Sequence, residues 1–230
     1  MHLISTIEIS KAAAIIQQGR LVAFPTSTSY GLAADALQGH ALQRLRNLKG
    51  RPQDKPFTVF MKPSLYTMHV LLTDLERTVC QEFTGRPLTL LVTPRASLMH
   101  IAKNGLVGLR SIDHPLMAQL AAAVDVPLTA TSANFSGGPP CYSPPCIRAT
   151  FLNPLPDNRL GEANPRGASG TTYDLSLGAI LDGGELPPRL PTTIARLDGD
   201  RVVIIRPGAV TAADINHILR PRESAPAAPL

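Results

Sequence analysis

Short apolar runs, each closed by proline, glycine or a hydroxyl residue, recur along this chain, and stretches with helical spacing separate them. Arg20-Leu-Val-Ala-Phe24 ends at Pro25, and Phe57 to Met61, Leu88 to Val92, Leu106 to Leu109, Pro127 to Ala130 and Gly178 to Leu181 are of the same kind. Runs this short and this continuously apolar read as strands covered on both faces. The helices between them carry their own stop signs. Ser10 caps Ala12 to Gln18, which Gly19 ends. Ala41 to Leu48 stops at Gly50 and Pro52. Thr73-Asp-Leu-Glu76 is a capping box opening a helix to about Phe83. Pro115 to Val124 begins with proline at its first position, and Thr211 caps a last helix to about Leu219. Ile194 to Leu197 and Val202 to Ile205 flank Asp198-Gly199, a strong hairpin signal. The fold expected is α/β, a single domain over residues 1–220 with a twisted mixed parallel and antiparallel sheet and flanking helices. Thr26 to Gly31 reads as loop. Ser136 to Gly170, rich in Gly, Pro, Asn and Ser, reads likewise apart from a short helix around Ile147 to Phe151. Residues 221–230, rich in Pro and Ala, are expected to be a disordered tail.

Composition narrows the function classes. Of 230 residues 44% are hydrophobic and 17% charged, which excludes disorder as the main state. No apolar run approaches the roughly 18 residues of a spanning helix. Met1 to Arg20 carries Glu8 and lacks the apolar centre of a secretory leader, so a cytoplasmic protein with no membrane partner is expected. Three cysteines are too few for a disulfide scaffold, and their odd count points to free thiols in a reducing compartment. Cys141 and Cys146 read as plain loop thiols, and no metal site is expected. Lys and Arg total 22 against 17 Asp and Glu, a net charge of +5. That balance suits nucleotides, phosphates or RNA, and equally a solvated basic surface. With 4% aromatic residues and no Trp, a base-stacking platform for single strands is poorly supplied.

The common signatures of nucleotide, zinc-protease and serine-hydrolase chemistry are missing from the chain. Polar clusters at strand ends remain. Lys49-Gly-Arg51-Pro52 puts two cations after a helix. Such a pair clamps a polyphosphate, Arg through paired hydrogen bonds and Lys as a compact charge, or it simply neutralises a helix C-terminus. Arg110 ends a strand at the edge where ligands collect in α/β sheets, or is a surface charge. Thr131-Ser-Ala-Asn134-Phe-Ser136-Gly-Gly138 offers hydroxyls, an amide and backbone donors, a phosphate cradle or an ordinary polar turn.

Taken in order, these pieces resemble one family. Phe24-Pro-Thr-Ser-Thr-Ser-Tyr30-Gly-Leu-Ala-Ala-Asp35 is similar to its P-T-E-T-x-Y-G-L-x-x-D segment, and Lys49-Gly-Arg-Pro-Gln-Asp-Lys-Pro56 to its K-x-R-P-x-x-K/N-P motif. Pro87-Leu-Thr89, Gly108-Leu-Arg110 with His114-Pro115, and Thr131 to Gly137 resemble P-L-T, V-R-x-x-x-H-P and S-x-N with a following S-G. Leu181-Asp-Gly-Gly184, Pro191-Thr-Thr-Ile194 and Ile205-Arg-Pro-Gly208 complete the series. The chain thus resembles the YrdC-like family of threonylcarbamoyl-AMP synthases from about Val22 to Ile215.

The resemblance implies a YrdC-like fold in its short, single-domain form. It implies an enzyme, a nucleotidyltransferase that joins L-threonine, bicarbonate and ATP into threonylcarbamoyl-AMP and pyrophosphate, for modification of adenosine 37 of tRNA. Mg2+ would accompany the ATP. Lys49, Arg51 and Ser132 are the implied catalytic residues, with Asn134 and Arg206 also on the nucleotide. Thr26, Arg110 and Thr192 would hold threonine, Arg110 at its carboxylate, while Tyr30 shapes the pocket. Weak tRNA binding and transient contact with the transferase complex that uses the product follow from the same pathway. Departures stand at Ser27, for the family's glutamate; at Thr84-Gly-Arg86, for W-P-G; at Thr192-Thr193, for an S-T pair; and at Phe60, where many relatives have histidine. The loop from Ser143 to Ser176 is also long. Ser27, Phe60 and Arg86 leave room for a diverged relative that handles another carbamoyl-adenylate, and the positive charge for an RNA-binding protein without turnover.

Overall fold

One face of helix α1 (Ile9–Gln17) buries Ala12, Ala13 and Ile16, the spacing of an amphipathic helix. It already includes Ile9, so Ser10 lies inside it rather than at its cap. Gly19 then turns the chain with φ 69° into β1 (Val22–Pro25). The structure, a computed structural model, describes residues 9–151 and 177–219. The expected tail and residues 152–176 of the expected long loop lie outside the described residues.

Strand β2 (Tyr30–Ala33) folds back antiparallel on β1, with Pro25 opposite Tyr30. Tyr30-Gly31, read as loop from the sequence, therefore belongs to a strand. All four residues of each strand are buried, so no polar alternation marks the second one. Helix α2 (Gly39–Lys49) buries Leu42, Leu45, Leu48 and Lys49 and ends on Gly50 in the left-handed conformation, the usual helix stop. After β3 (Thr58–Phe60) come a 3-10 turn at Pro63–Leu65, the one-turn α3 (Tyr66–His69) and β4 (Val70–Leu71). Helix α4 (Asp74–Glu82) has the expected capping box, Thr73 and Glu76 each bonding the other's backbone. Next are β5 (Leu88–Pro94), a 3-10 segment at Ala96–Ile101, β6 (Val107–Arg110) and α5 (Pro115–Ala123). Short β7 (Leu128–Thr129) and β8 (Thr131–Ser132) lead to α6 (Pro144–Phe151). Finally β9 (Ala179–Ile180), the hairpin β10 (Thr193–Asp198) with β11 (Arg201–Arg206), and α7 (Ala212–Leu219) complete the described chain.

This is a mixed α/β fold, with two sheets among the described residues where one was expected. The smaller has the order β8-β2-β1-β9; the larger runs β11-β10-β5-β6-β3-β7, with β4 on the flank of β5. Each mixes parallel and antiparallel pairs: β1 with β9, β10 with β5 and β3 with β6 are parallel, the rest antiparallel. The chain changes sheets at Ala130. On one side of it β7 pairs β3; on the other, β8 pairs β2. Thr129 fastens this crossing, its N–H donating to Ala34 O at 2.9 Å and its hydroxyl accepting from Ala34 N at 2.9 Å. A single residue between two strands of opposite allegiance leaves no mark in hydrophobic periodicity.

Cys141 and Cys146, expected as free thiols, form a disulfide with Cα atoms 5.5 Å apart, a separation that suits the bridge. The start of α6 between them brings the two sulfurs together. Cys80 is free and buried. No helix among the described residues is long and apolar enough to cross a membrane.

Candidate functional site

Residues of both sheets line a cleft of about 890 Å3. Phe24, the Thr26–Tyr30 turn and the Thr131–Asn134 segment form one wall; Thr89, Gly108, Arg110, Ile194 and Arg206 belong to the other. Thr26, Arg51, Arg110, Ser132, Asn134, Thr192 and Arg206, all singled out in the sequence, come together along it. Lys49 does not line it. The lining cations are Arg51, Lys55, Lys103, Arg110, Arg189, Arg196 and Arg206, and no Asp or Glu is among the described lining residues. Such a surface attracts anions.

Between β1 and β2 the chain makes a tight hydroxyl turn. Thr26 Oγ1 donates to Ser29 O at 2.7 Å and accepts from Thr28 N at 3.2 Å and Ser29 N at 3.3 Å. That arrangement satisfies the turn internally and leaves Thr26 and Thr28 buried on the cleft wall. Tyr30, fully buried, accepts from Gly183 N and donates to Gly184 O, both at 2.9 Å. A Cβ on Gly183 would lie 2.7 Å from Pro25, so glycine lets the 181–192 connection run close over β1. Burial raises the Tyr30 pKa.

The Ser132–Gly138 turn rests on Lys49. Only 2% exposed, its ammonium donates to Ser132 O, to Asn134 O at 2.8 Å and to Asn134 Oδ1 at 3.1 Å. All three of its N–H bonds are thereby accounted for. Burial, and after it the charges of Arg51 and Lys55, lower its pKa to about 7. The turn adds its own bonds, Ser132 Oγ to Asn134 Oδ1 at 2.6 Å and Asn134 Nδ2 to Gly138 O. Ser136 N donates to Lys49 O at 2.8 Å, closing the bracket. Arg51 and Arg46 both stack on Phe57, at 4.9 and 4.5 Å from the ring centre. Their guanidinium groups hold the 52–56 loop by its carbonyls. Burial, then Arg46, lowers the Arg51 pKa to about 10.

Arg110 also lines the cleft. Its side chain is 11% exposed, and it donates to Thr192 Oγ1, to Thr28 Oγ1 at 3.4 Å and to Asp113 Oδ2 at 2.7 Å. Arg206 donates to Thr192 O at 2.7 Å. Burial and the neighbouring charge of Arg110 lower its pKa. Gly208 makes this corner possible: a Cβ there would stand 2.2 Å from Pro191 O. Thr193 pins the same turn, donating to Val210 O and accepting from Val210 N.

Of the departures from the family pattern, Thr192 lines the cleft, while Ser27, Phe60 and Arg86 lie outside the lining. Arg86 is held at the surface by Asp214, at 2.9 Å, and by the Phe83 ring. Phe60 is fully buried against Phe24, ring centres 5.0 Å apart. Ser27 donates to Asp113 from its N–H and its hydroxyl. Sequence reasoning missed Thr28, Asp113, Tyr142, Arg189 and Arg196. Asp113 had a readable signal in its three-residue spacing from Arg110 at a strand exit. Arg189 sits in a connection without periodicity.

Over 221 residues the chain is 29% identical to the threonylcarbamoyl-AMP synthase of Bacillus subtilis (strain 168), covering 93% of this chain and 57% of that protein. It is 32% identical over 169 residues to the threonylcarbamoyl-AMP synthase of Escherichia coli (strain K12), covering 68% of this chain and 87% of the relative. The crystal structure of P. abyssi Sua5 complexed with L-threonine superposes with a TM-score of 0.72 at 26% identity, over 93% of this chain and 58% of that one. The chain therefore spans somewhat over half the length of the Bacillus and P. abyssi proteins. Residues 14–155 match the Sua5_yciO_yrdC family model, described as "Telomere recombination". The chain belongs to the Sua5/YciO/YrdC family.

Proposed function

We propose that this chain is a threonylcarbamoyl-AMP synthase, converting L-threonine, bicarbonate and ATP to threonylcarbamoyl-AMP, pyrophosphate and water. The observation that carries the reading is a cationic cleft with no carboxylate among its described lining residues, in which Arg110, Thr192 and Thr28 converge and to which the Lys49-braced Ser132–Asn134 turn contributes. Relatives that bear the synthase name, and a solved relative with L-threonine bound, support it.

In this reading the threonine amine captures carbon dioxide as a carbamate, and a carbamate oxygen attacks the α-phosphorus of ATP as pyrophosphate leaves. Arg110 receives the threonine carboxylate, with Thr26 and Thr192 beside it. Arg51, Arg206, Ser132 and Asn134 hold the phosphates, and Lys49 supplies charge from behind the turn. Fixed cations of this kind act where negative charge develops on the leaving phosphates. The remaining acceleration comes from alignment and from keeping water off the carbamate. Mg2+ would arrive on the triphosphate: the described residues contain no cluster of three or more His, Cys, Asp or Glu that could cage it, and Mg2+ commonly binds through substrate phosphates. The product would serve tRNA modification in the cytoplasm, through weak tRNA binding and transient contact with a transferase.

Nucleotide binding tests the clamp. Arg51→Ala and Lys49→Ala should each weaken ATP at least about tenfold in calorimetry, the scale of losing a charge-assisted contact. Wild-type affinity in both would remove the phosphate assignment.

A further inference from the structure

Ser27, a departure outside the lining, reaches the cleft through Asp113. This acid is fully buried at its side chain and outside the lining. Its Oδ1 accepts from Ser27 N at 3.2 Å, and its Oδ2 accepts from Ser27 Oγ and from Arg110 Nη2, both at 2.7 Å. Ser27 is likewise outside the lining. Asp113 bonds Arg110 directly and Ser27 bonds Asp113, and among the described lining cations Arg110 is the one held by threonine hydroxyls.

A guanidinium has five N–H bonds. In Arg110 three are accepted, by Thr192, Thr28 and Asp113. One of the two left is Nε–H, buried and without a partner in the structure; the other is the second hydrogen of Nη1. These two N–H bonds lie on different edges of the guanidinium, so each can serve one oxygen and they do not form a single fork. Asp113 thus neutralises a cation that is too buried to stand alone and fixes its orientation while two of its donors stay unengaged. Without Asp113 the guanidinium would be free to turn, and those two donors would no longer point to a fixed place.

We propose that Asp113, clamped by Ser27, is a positioning residue that sets the monocarboxylate subsite by locking Arg110. The role of Arg110 toward a carboxylate rests on the proposed function; the lock itself does not. Ser27, where the family pattern has glutamate, gives Asp113 two neutral donors beside Arg110.

Two measurements on the intact chain test this. The first needs no substrate: the Arg110 Nε–H resonance, assigned by its loss in Arg110→Lys, should exchange slowly with solvent in the wild type. It should broaden or vanish in Asp113→Asn, weaken in Ser27→Ala and return in Ser27→Thr, which keeps the hydroxyl. The second is steady-state turnover. Asp113→Asn should raise the threonine KM by about tenfold or more while kcat stays within about threefold and the ATP KM is unmoved, the pattern of lost ground-state binding at one subsite. Ser27→Ala should raise it by about threefold and Ser27→Thr by less than about twofold. An Nε–H signal unchanged in Asp113→Asn would overturn the lock whatever the substrate. So would an equal rise in both KM values with a lowered melting temperature, the mark of a general folding role. A signal lost in Asp113→Asn in a chain that never turns over threonine would support the lock and overturn the synthase reading instead.

Discussion

Lys49 combines a helix terminus, a burial problem and a turn in one side chain. At the end of α2 it is buried, and the three oxygens of the 132–134 turn are what make an ammonium tolerable there. Even so, burial and the nearby cations bring its pKa from 10.5 to about 7. The consequence for stability has a definite sign. Between about pH 7 and pH 10.5 the unfolded chain keeps the proton that the folded chain releases, so this residue's contribution to stability rises with pH across that window. In urea titrations at pH 6.5, 8 and 9.5, the wild type should therefore gain on Lys49→Met as pH increases; a constant difference would mean that Lys49 does not titrate there. The sequence announced Lys49 and Arg51 as a cation pair after a helix. It could not tell that one faces the cleft and the other the back of a turn, because that depends on where a segment eighty residues further along comes to rest.

At the scale of elements, the parts with local chemistry were the legible ones. The Thr73–Glu76 capping box, the proline start of α5, the Asp198-Gly199 hairpin and the Thr211 cap all stand, the last with Thr211 and Asp214 bonded both ways. Less legible were elements defined by their partners. Strand β2 exists because β1 and β8 lie on either side of it, and the one-turn α3 and two-residue β4 are too short for any period to show. The Cys141–Cys146 bridge is of this kind too. It ties α6 to the lip that carries Pro140 and Tyr142, two cleft residues, and Cys141 also bonds β2 through Tyr30 N. Closing so short a loop stabilises the fold by about 2 kcal/mol in the chain-entropy model. Adding a strong reductant should lower the melting temperature by roughly 4–8 °C and leave Cys146→Ser unaffected. A melting temperature indifferent to reductant would show that the bridge does not form.

For the molecule as a whole, two mixed sheets contribute to a common cleft, and the switch at Ala130 carries one continuous segment from the larger sheet into the smaller, where Thr131, Ser132 and Asn134 line it. Residues scattered from Thr26 to Arg206 meet only because of that topology. Their identities were legible as an ordered series of weak motifs; their division into a cationic lining and buried supports such as Lys49 and Asp113 was not, since it is set by long-range packing. On the proposed function, this lining assembles a threonine carbamate against the α-phosphate of ATP. The most direct measurement supplies labelled L-threonine with ATP, Mg2+ and bicarbonate to the purified chain and follows adenylated product and pyrophosphate by chromatography. Both products are expected in equal amounts, each dependent on all three substrates. ATP bound without any product from threonine would contradict the proposed function.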